Sequence, residues 1–64
     1  MKIEEIKKMG LGIFKFSWES GGSSVGCIWN DRYGNRNVAI ANWLRPCFLD
    51  DINDWEIEKV EKVE

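Results

Sequence analysis

Ser20, Ser23 and Ser24, gathered in the stretch SGGSS, and the two cysteines, Cys27 and Cys47, are the side chains here that could attack a substrate. A hydroxyl or thiol nucleophile needs a base within hydrogen-bond reach. The chain has no histidine, and a Ser–Lys arrangement using Lys15 has no supporting motif. The glycine-rich setting of the serines reads more simply as a solvated turn. Metal chemistry is equally short of ligands. A structural zinc site normally takes four Cys or His ligands, and two cysteines are all the chain offers. Asp50, Asp51 and Asp54, in DDIND, group three carboxylates. A magnesium site of that kind also needs a substrate phosphate and a shaped cavity, so the group reads as a loop leading into the last element. Neither GLG nor GGSS extends to the phosphate-cradling G-x-x-x-x-G-K-S/T. No enzymatic activity, cofactor or metal is expected.

Binding is a better prospect than catalysis. The stretch WNDRYGNRNVAIANW, Trp29 to Trp43, holds all but one of the arginines, the only tyrosine and two of the four tryptophans. Trp, Tyr and Arg dominate the energetics of protein interfaces. The candidate partner-binding residues are therefore Trp29, Arg32, Tyr33, Arg36 and Trp43. The same residues could serve a single-stranded nucleic acid, by base stacking and a cationic groove. Three arginines supply few phosphate contacts, however, and the acidic balance opposes them. A protein partner is expected; the alternatives are single-stranded nucleic acid and a purely structural, oligomer-forming role.

The elements that must position these residues are legible in part. GIFKFSWE, residues 12–19, alternates Phe14, Phe16 and Trp18 against Lys15, Ser17 and Glu19, the pattern of a half-buried strand. After the Ser/Gly turn, VGCIWN puts Val25, Cys27 and Trp29 on one face and Ile28 on the other, with Gly26 suggesting a bulge or a close backbone approach. DRYGNR is a turn, because Gly34 and Asn35 tolerate positive φ. NVAIANWL, residues 37–44, is apolar or small on both faces and reads as a central strand ended by Pro46. Residues 12–44 thus form a three-stranded antiparallel meander. Residues 1–9 carry Ile3, Ile6 and Met9 at spacing three and form a short helix or an extended lead-in. Residues 54–63 are ambiguous between helix and strand. A closing strand with a bulge near Lys59 is favoured, because the sheet needs an edge covered.

A chain of 64 residues makes one domain at most. It is marginal in stability without disulfides, metal, oligomerisation or dense aromatic packing. Four tryptophans, each able to bury about 150–250 Å², are more than a small core readily takes. Self-association would satisfy both conditions. The net charge of −2 conceals a division: seven acids and two lysines lie between Asp50 and Glu64, and three arginines and one aspartate between Asn30 and Cys47. Pairing of Arg32, Arg36 or Arg45 with the acidic tail is the simplest use of that division, ahead of an anion or partner site at the turn. No signal sequence or membrane-spanning run is visible. A cytoplasmic protein with reduced thiols follows, Cys27 and Cys47 acting as small buried hydrophobes.

The order FSWESGGSSVGCI, NDRYGNRNVAIANW, DWEIEKVEKV resembles small uncharacterised β proteins encoded by phages and prophages. A Trp-containing strand, a Ser/Gly turn, an Asp-x-x-Gly hairpin, an Asn-Trp strand end and a Val-rich closing strand follow one another over most of residues 12–63. The resemblance implies a virus or mobile-element accessory protein that binds a host factor, and it carries over no site residues. The long connection RPCFLDDIND departs from the pattern and bears on how the last strand aligns.

The expectation is a mostly β protein: a strongly bent antiparallel sheet or an SH3-like small barrel of four to five strands, with a short N-terminal helical or extended segment. Phe14, Phe16, Trp18, Val25, Cys27, Ile40, Leu44 and Ile57 are its predicted core.

Overall fold

The computed structural model describes residues 1–53 and 56–63. Asp54, read above as part of the carboxylate group, Trp55, read as part of the closing element, and Glu64 lie outside the described residues. A short helix α1 (Ile3–Lys8) precedes strands β1 (Gly12–Trp18), β2 (Ser23–Asn30) and β3 (Arg36–Ile40). A two-residue β4 (Cys47–Phe48), a 3₁₀ turn (Leu49–Asp51) and β5 (Ile57–Lys62) follow. The strands form one antiparallel sheet in the order β4-β3-β2-β1-β5. The protein is mostly β, as expected, and the sheet stays open, with β4 and β5 as its edges.

One face of the sheet is covered. Phe14 and Phe16 from β1, Ile28 from β2, Val38 and Ile40 from β3 and Ile57 and Val60 from β5 are buried there, together with Ile3 and Ile6 of α1 and Leu49 of the 3₁₀ turn. Six residues are too few to hold a helix alone, so α1 depends on docking Ile3 and Ile6. Its ends help locally. The Lys2 N–H donates to the Glu5 carboxylate, Glu4 and Glu5 sit in the first turn, and Lys7 and Lys8 in the last, as the helix dipole favours.

In the closing segment, Ile57–Lys62 form a strand. Lys59 opposes Ser17 and Ile57 opposes Trp18, so Glu58 is the extra residue of a bulge. That shift lets Ile57 and Val60, three apart, both reach the covered face.

Four core assignments differ from expectation. In β2 the alternation is present but the face is inverted: Val25 and Cys27 point outward and are exposed, while Gly26 and Ile28 face the core. The reason lies at Gly26. It pairs with Phe14 on one side and Ile40 on the other, and a Cβ there would meet the Ala39 carbonyl oxygen at 2.5 Å. A small inward residue allows β2 and β3 to close over two large neighbours, and that close approach outweighs the apolar character of Val25 and Cys27. Leu44 is fully exposed, because β3 stops at Ile40 and the chain turns there, the Trp43 N–H donating to the Ile40 carbonyl. Trp18 is half-buried at the sheet's end, stacked on Phe16 at 6.0 Å and donating Nε1–H to Ser24 Oγ at 3.2 Å.

Candidate functional site

The β2–β3 hairpin turn is organised by Asp31. Its carboxylate accepts the backbone N–H groups of Tyr33 and Asn35 at 2.9 and 3.0 Å, and the Asn37 side-chain amide at 3.0 Å. Gly34 takes φ +82°, a conformation other side chains rarely adopt. The Asn37 amide, with the Asn35 and Tyr33 N–H groups, holds the Asp31 carboxyl below its ordinary 3.8. A depressed carboxylate stabilises the fold above its unfolded pKa and loses that contribution as pH falls through its folded value. The hairpin is therefore expected to keep full order above about pH 4 and to loosen in more acidic solution. Amide chemical shifts of Tyr33 and Asn35 followed through an acid titration check this: in wild type they move with the Asp31 carboxyl, and in Asp31→Asn they should stay flat.

The turn presents Tyr33 at 73 % exposure. Arg32 lies over its ring at 5.0 Å and donates to its hydroxyl at 2.9 Å. Arg36 is turned inward, its Nη1–H donating to the carbonyl of Lys7 at 2.7 Å. A cation on a C-terminal helix carbonyl is favourable, so Arg36 ties the hairpin to the end of α1. Among the described residues no arginine pairs with an acid; the ion pairs are Lys7–Asp50 and Lys59–Glu61. Among the described residues, the contact with the acidic tail is made instead by Lys7 of α1, which reaches Asp50.

The uncovered face of the sheet carries the larger apolar surface. Opposed residues share a face, so the register lines up Val63, Ile13, Cys27 and Ala39 across the sheet. A parallel row runs through Glu61, Lys15, Val25 and Ala41, and a third through Trp29, Asn37 and Phe48. The small side chains of Cys27, Ala39 and Ala41, between Ile13 and Val25, leave a shallow depression of about 320 Å³. Ile13, Val25, Phe48 and Val63 are 38, 51, 47 and 55 % exposed. An antiparallel sheet with one solvated face ordinarily turns polar residues outward. Here the solvated face is apolar at its centre, and its charges, Lys15, Lys59 and Glu61, lie toward the β5 side.

The structure brings some of the predicted partner-binding residues together. Trp29, half-buried, stands on this outer face two residues along β2 from Cys27. Arg32 and Tyr33 rise from the turn just beyond it. Arg36 belongs to the junction with α1. Trp43, 40 % exposed, follows the opposite end of β3, roughly 14 Å away at about 3.4 Å per residue. Ile13, Phe48, Val63 and the outward Val25 and Cys27 were not among the predicted partner contacts. The signal that could have found them is that VGCIW and NVAIA are apolar on both faces, which a sheet with a single covering layer cannot fully bury.

The thiols are free, Cys27 exposed and Cys47 half-buried. They sit on opposite faces of non-adjacent strands, since Cys27 opposes the outward Ala39 and Cys47 the inward Val38. Burial, with Asp51 nearby, pushes the Cys47 thiol up. No protein family, curated protein or solved structure matches the chain. Among the described residues no helix is long and apolar enough to cross a membrane.

Proposed function

We propose that this protein is a non-enzymatic binding module that acts by protein–protein contact and self-associates, with the outer sheet face as its contact surface. The observation that carries the reading is the exposed apolar centre formed by Ile13, Val25, Cys27 and Trp29, flanked by Phe48 and Val63. Contiguous apolar surface of this kind is characteristic of interaction sites. Trp29 and the Arg32–Tyr33 pair supply the aromatic and guanidinium anchors typical of interface hot spots. The partner is a protein presenting a complementary apolar surface. Phosphate-rich ligands fit less well, because Lys15 is opposed by Glu61 and Lys59 is paired with it. The free thiols suit the reducing cytoplasm, and the resemblance of the turn-and-aromatic pattern to small phage proteins would suit an accessory role directed at a host factor.

Capture from a bacterial lysate, in nuclease-treated and untreated halves, tests this. Wild type is expected to retain one protein in both halves. Val25→Glu, which places a charge at the exposed centre, should lose at least about nine-tenths of that retention, as loss of a hot spot of more than 1.4 kcal/mol implies. It should leave the circular dichroism unchanged. Retention confined to the untreated half would instead establish nucleic-acid binding, and retention undiminished by Val25→Glu would remove the outer face as the site.

A further inference from the structure

Strand β5 is the long edge of the sheet, and its sequence reads IEKVEK, followed by Val63. An exposed edge is a template for a further strand, and proteins usually guard it with charge. The charges here have an order. Val60 divides them so that each acid on one side has a base at the same distance on the other: Lys59 against Glu61, and Glu58 against Lys62. We propose that β5 pairs antiparallel with β5 of a second copy of this chain, about a two-fold axis through Val60.

The register follows from the backbone as well as from the charges. The Val63 N–H donates to the Ile13 carbonyl of β1 at 2.8 Å. Backbone groups alternate sides along an antiparallel strand, so Glu61 and Lys59 also point theirs at β1. Those of Val60 and Lys62 point to the free edge. A two-fold axis at Val60 then makes Val60 and its symmetry mate a hydrogen-bonded pair. Lys59 faces the second copy's Glu61 on the outer side of the sheet, and Glu61 faces its Lys59. Each chain already holds Lys59 Nζ at 2.7 Å from Glu61, so four charges of alternating sign close into a ring. Lys62 is placed opposite Glu58, which stands at the bulge. Neighbouring registers fail: moving the axis by one residue sets Lys59 against Lys59 or Glu61 against Glu61, and like charges directly opposed are destabilising. The start of the strand is closed to pairing, because the amino terminus of Met1 donates to the Ile57 carbonyl. That confines the pairing to residues 58–62.

The pairing deepens the self-association in the reading above, on which it rests. An axis perpendicular to the sheet joins two open sheets into one of ten strands and leaves both outer faces on the same side. The assembled protein would offer a partner two linked surfaces, and linked binding raises avidity without any new contact.

Sedimentation of wild type, Lys59→Glu, Glu61→Lys and the double variant Lys59→Glu/Glu61→Lys over a dilution series tests this. Wild type is expected to show a reversible monomer–dimer equilibrium. Each single variant opposes like charges on both sides of the axis and should raise the dimer dissociation constant roughly tenfold or more. The two single variants mixed in equal amounts should restore a dimer containing one of each, because two acids at positions 59 and 61 of one chain then face two lysines at positions 61 and 59 of the other. The double variant should dimerise as wild type does. Wild-type dimers that persist in both single variants would overturn the edge pairing while leaving self-association through the outer face standing. A wild type that stays monomeric throughout would overturn both, and a mixture that stays monomeric would overturn the register.

Discussion

Gly26→Ala is expected to destabilise this protein by at least about 3 kcal/mol, the upper end of what overpacking a core costs. The added Cβ would stand 2.5 Å from the Ala39 carbonyl oxygen, 3.0 Å from Ile40 Cγ1 and 3.1 Å from Ile40 Cα. Two of these atoms are backbone and cannot move without opening the β2–β3 ladder. That ladder runs through five residue pairs from Gly26–Ile40 to Asn30–Arg36 and holds in place both the hairpin turn and the outer face. A 64-residue chain has a total stability of roughly 3–10 kcal/mol at about 0.05–0.15 kcal/mol per residue. The loss is therefore a large part of the whole, and Gly26→Ala should be partly or fully unfolded at 37 °C by circular dichroism. Wild-type melting in this variant would show that β2 and β3 do not meet in this register.

The same residue explains where the sequence could be read and where it could not. Alternation in GIFKFSW placed Phe14 and Phe16 in the core without ambiguity, since the residues between them are Lys15 and Ser17. The turn at Asp31–Asn35 was legible from Gly34 and Asn35. The strand at residues 57–62, with its bulge one position from Lys59, was favoured by its β-branched residues and the sheet's need for a covered edge, while the three-residue spacing of Val60 and Val63 fitted a helix equally well. In VGCIWN the alternation was equally clear and the face was not, because both faces offer apolar residues. The side with more apolar mass is Val25, Cys27 and Trp29, yet the inward side is Gly26 and Ile28. That choice depends on how closely β3 packs, a non-local fact. Leu49 was hidden for a related reason: it reaches the core from a loop, where periodicity carries no information. Among the candidate contacts, Tyr33 and Arg32 were legible from the turn chemistry alone. The distance of Trp43 from them follows from the length of β3, since Trp43 lies beyond the strand's far end at Ile40 while Arg32 and Tyr33 precede its start. The role of Arg36 depends on the position of α1, which sequence spacing does not encode.

Phe16→Ala is the second large effect, and its value lies in comparison with a neighbour. Phe16 is fully buried, opposite Val60 and Ser24 and stacked with Trp18. Removing its ring forfeits the transfer free energy and leaves a cavity, together about 3–5 kcal/mol. That is enough to unfold most of the population of a chain this small. Ile13 lies three residues earlier in the same strand, on the other face and 38 % exposed. Its replacement by Ser should cost less than about 1 kcal/mol, in the range of surface changes away from packed features, while weakening any contact made through the outer face. Urea denaturation of the two variants, set beside their retention of the partner, separates what β1 does for the fold from what it does for binding. Phe16→Ala should lose both together, and Ile13→Ser should lose binding alone. If Ile13→Ser proved as destabilising as Phe16→Ala, the outer face would be a second core, covered in the folded protein by another chain. Stability would then depend on protein concentration, and the apolar centre would be an obligate interface rather than a surface kept open for a partner.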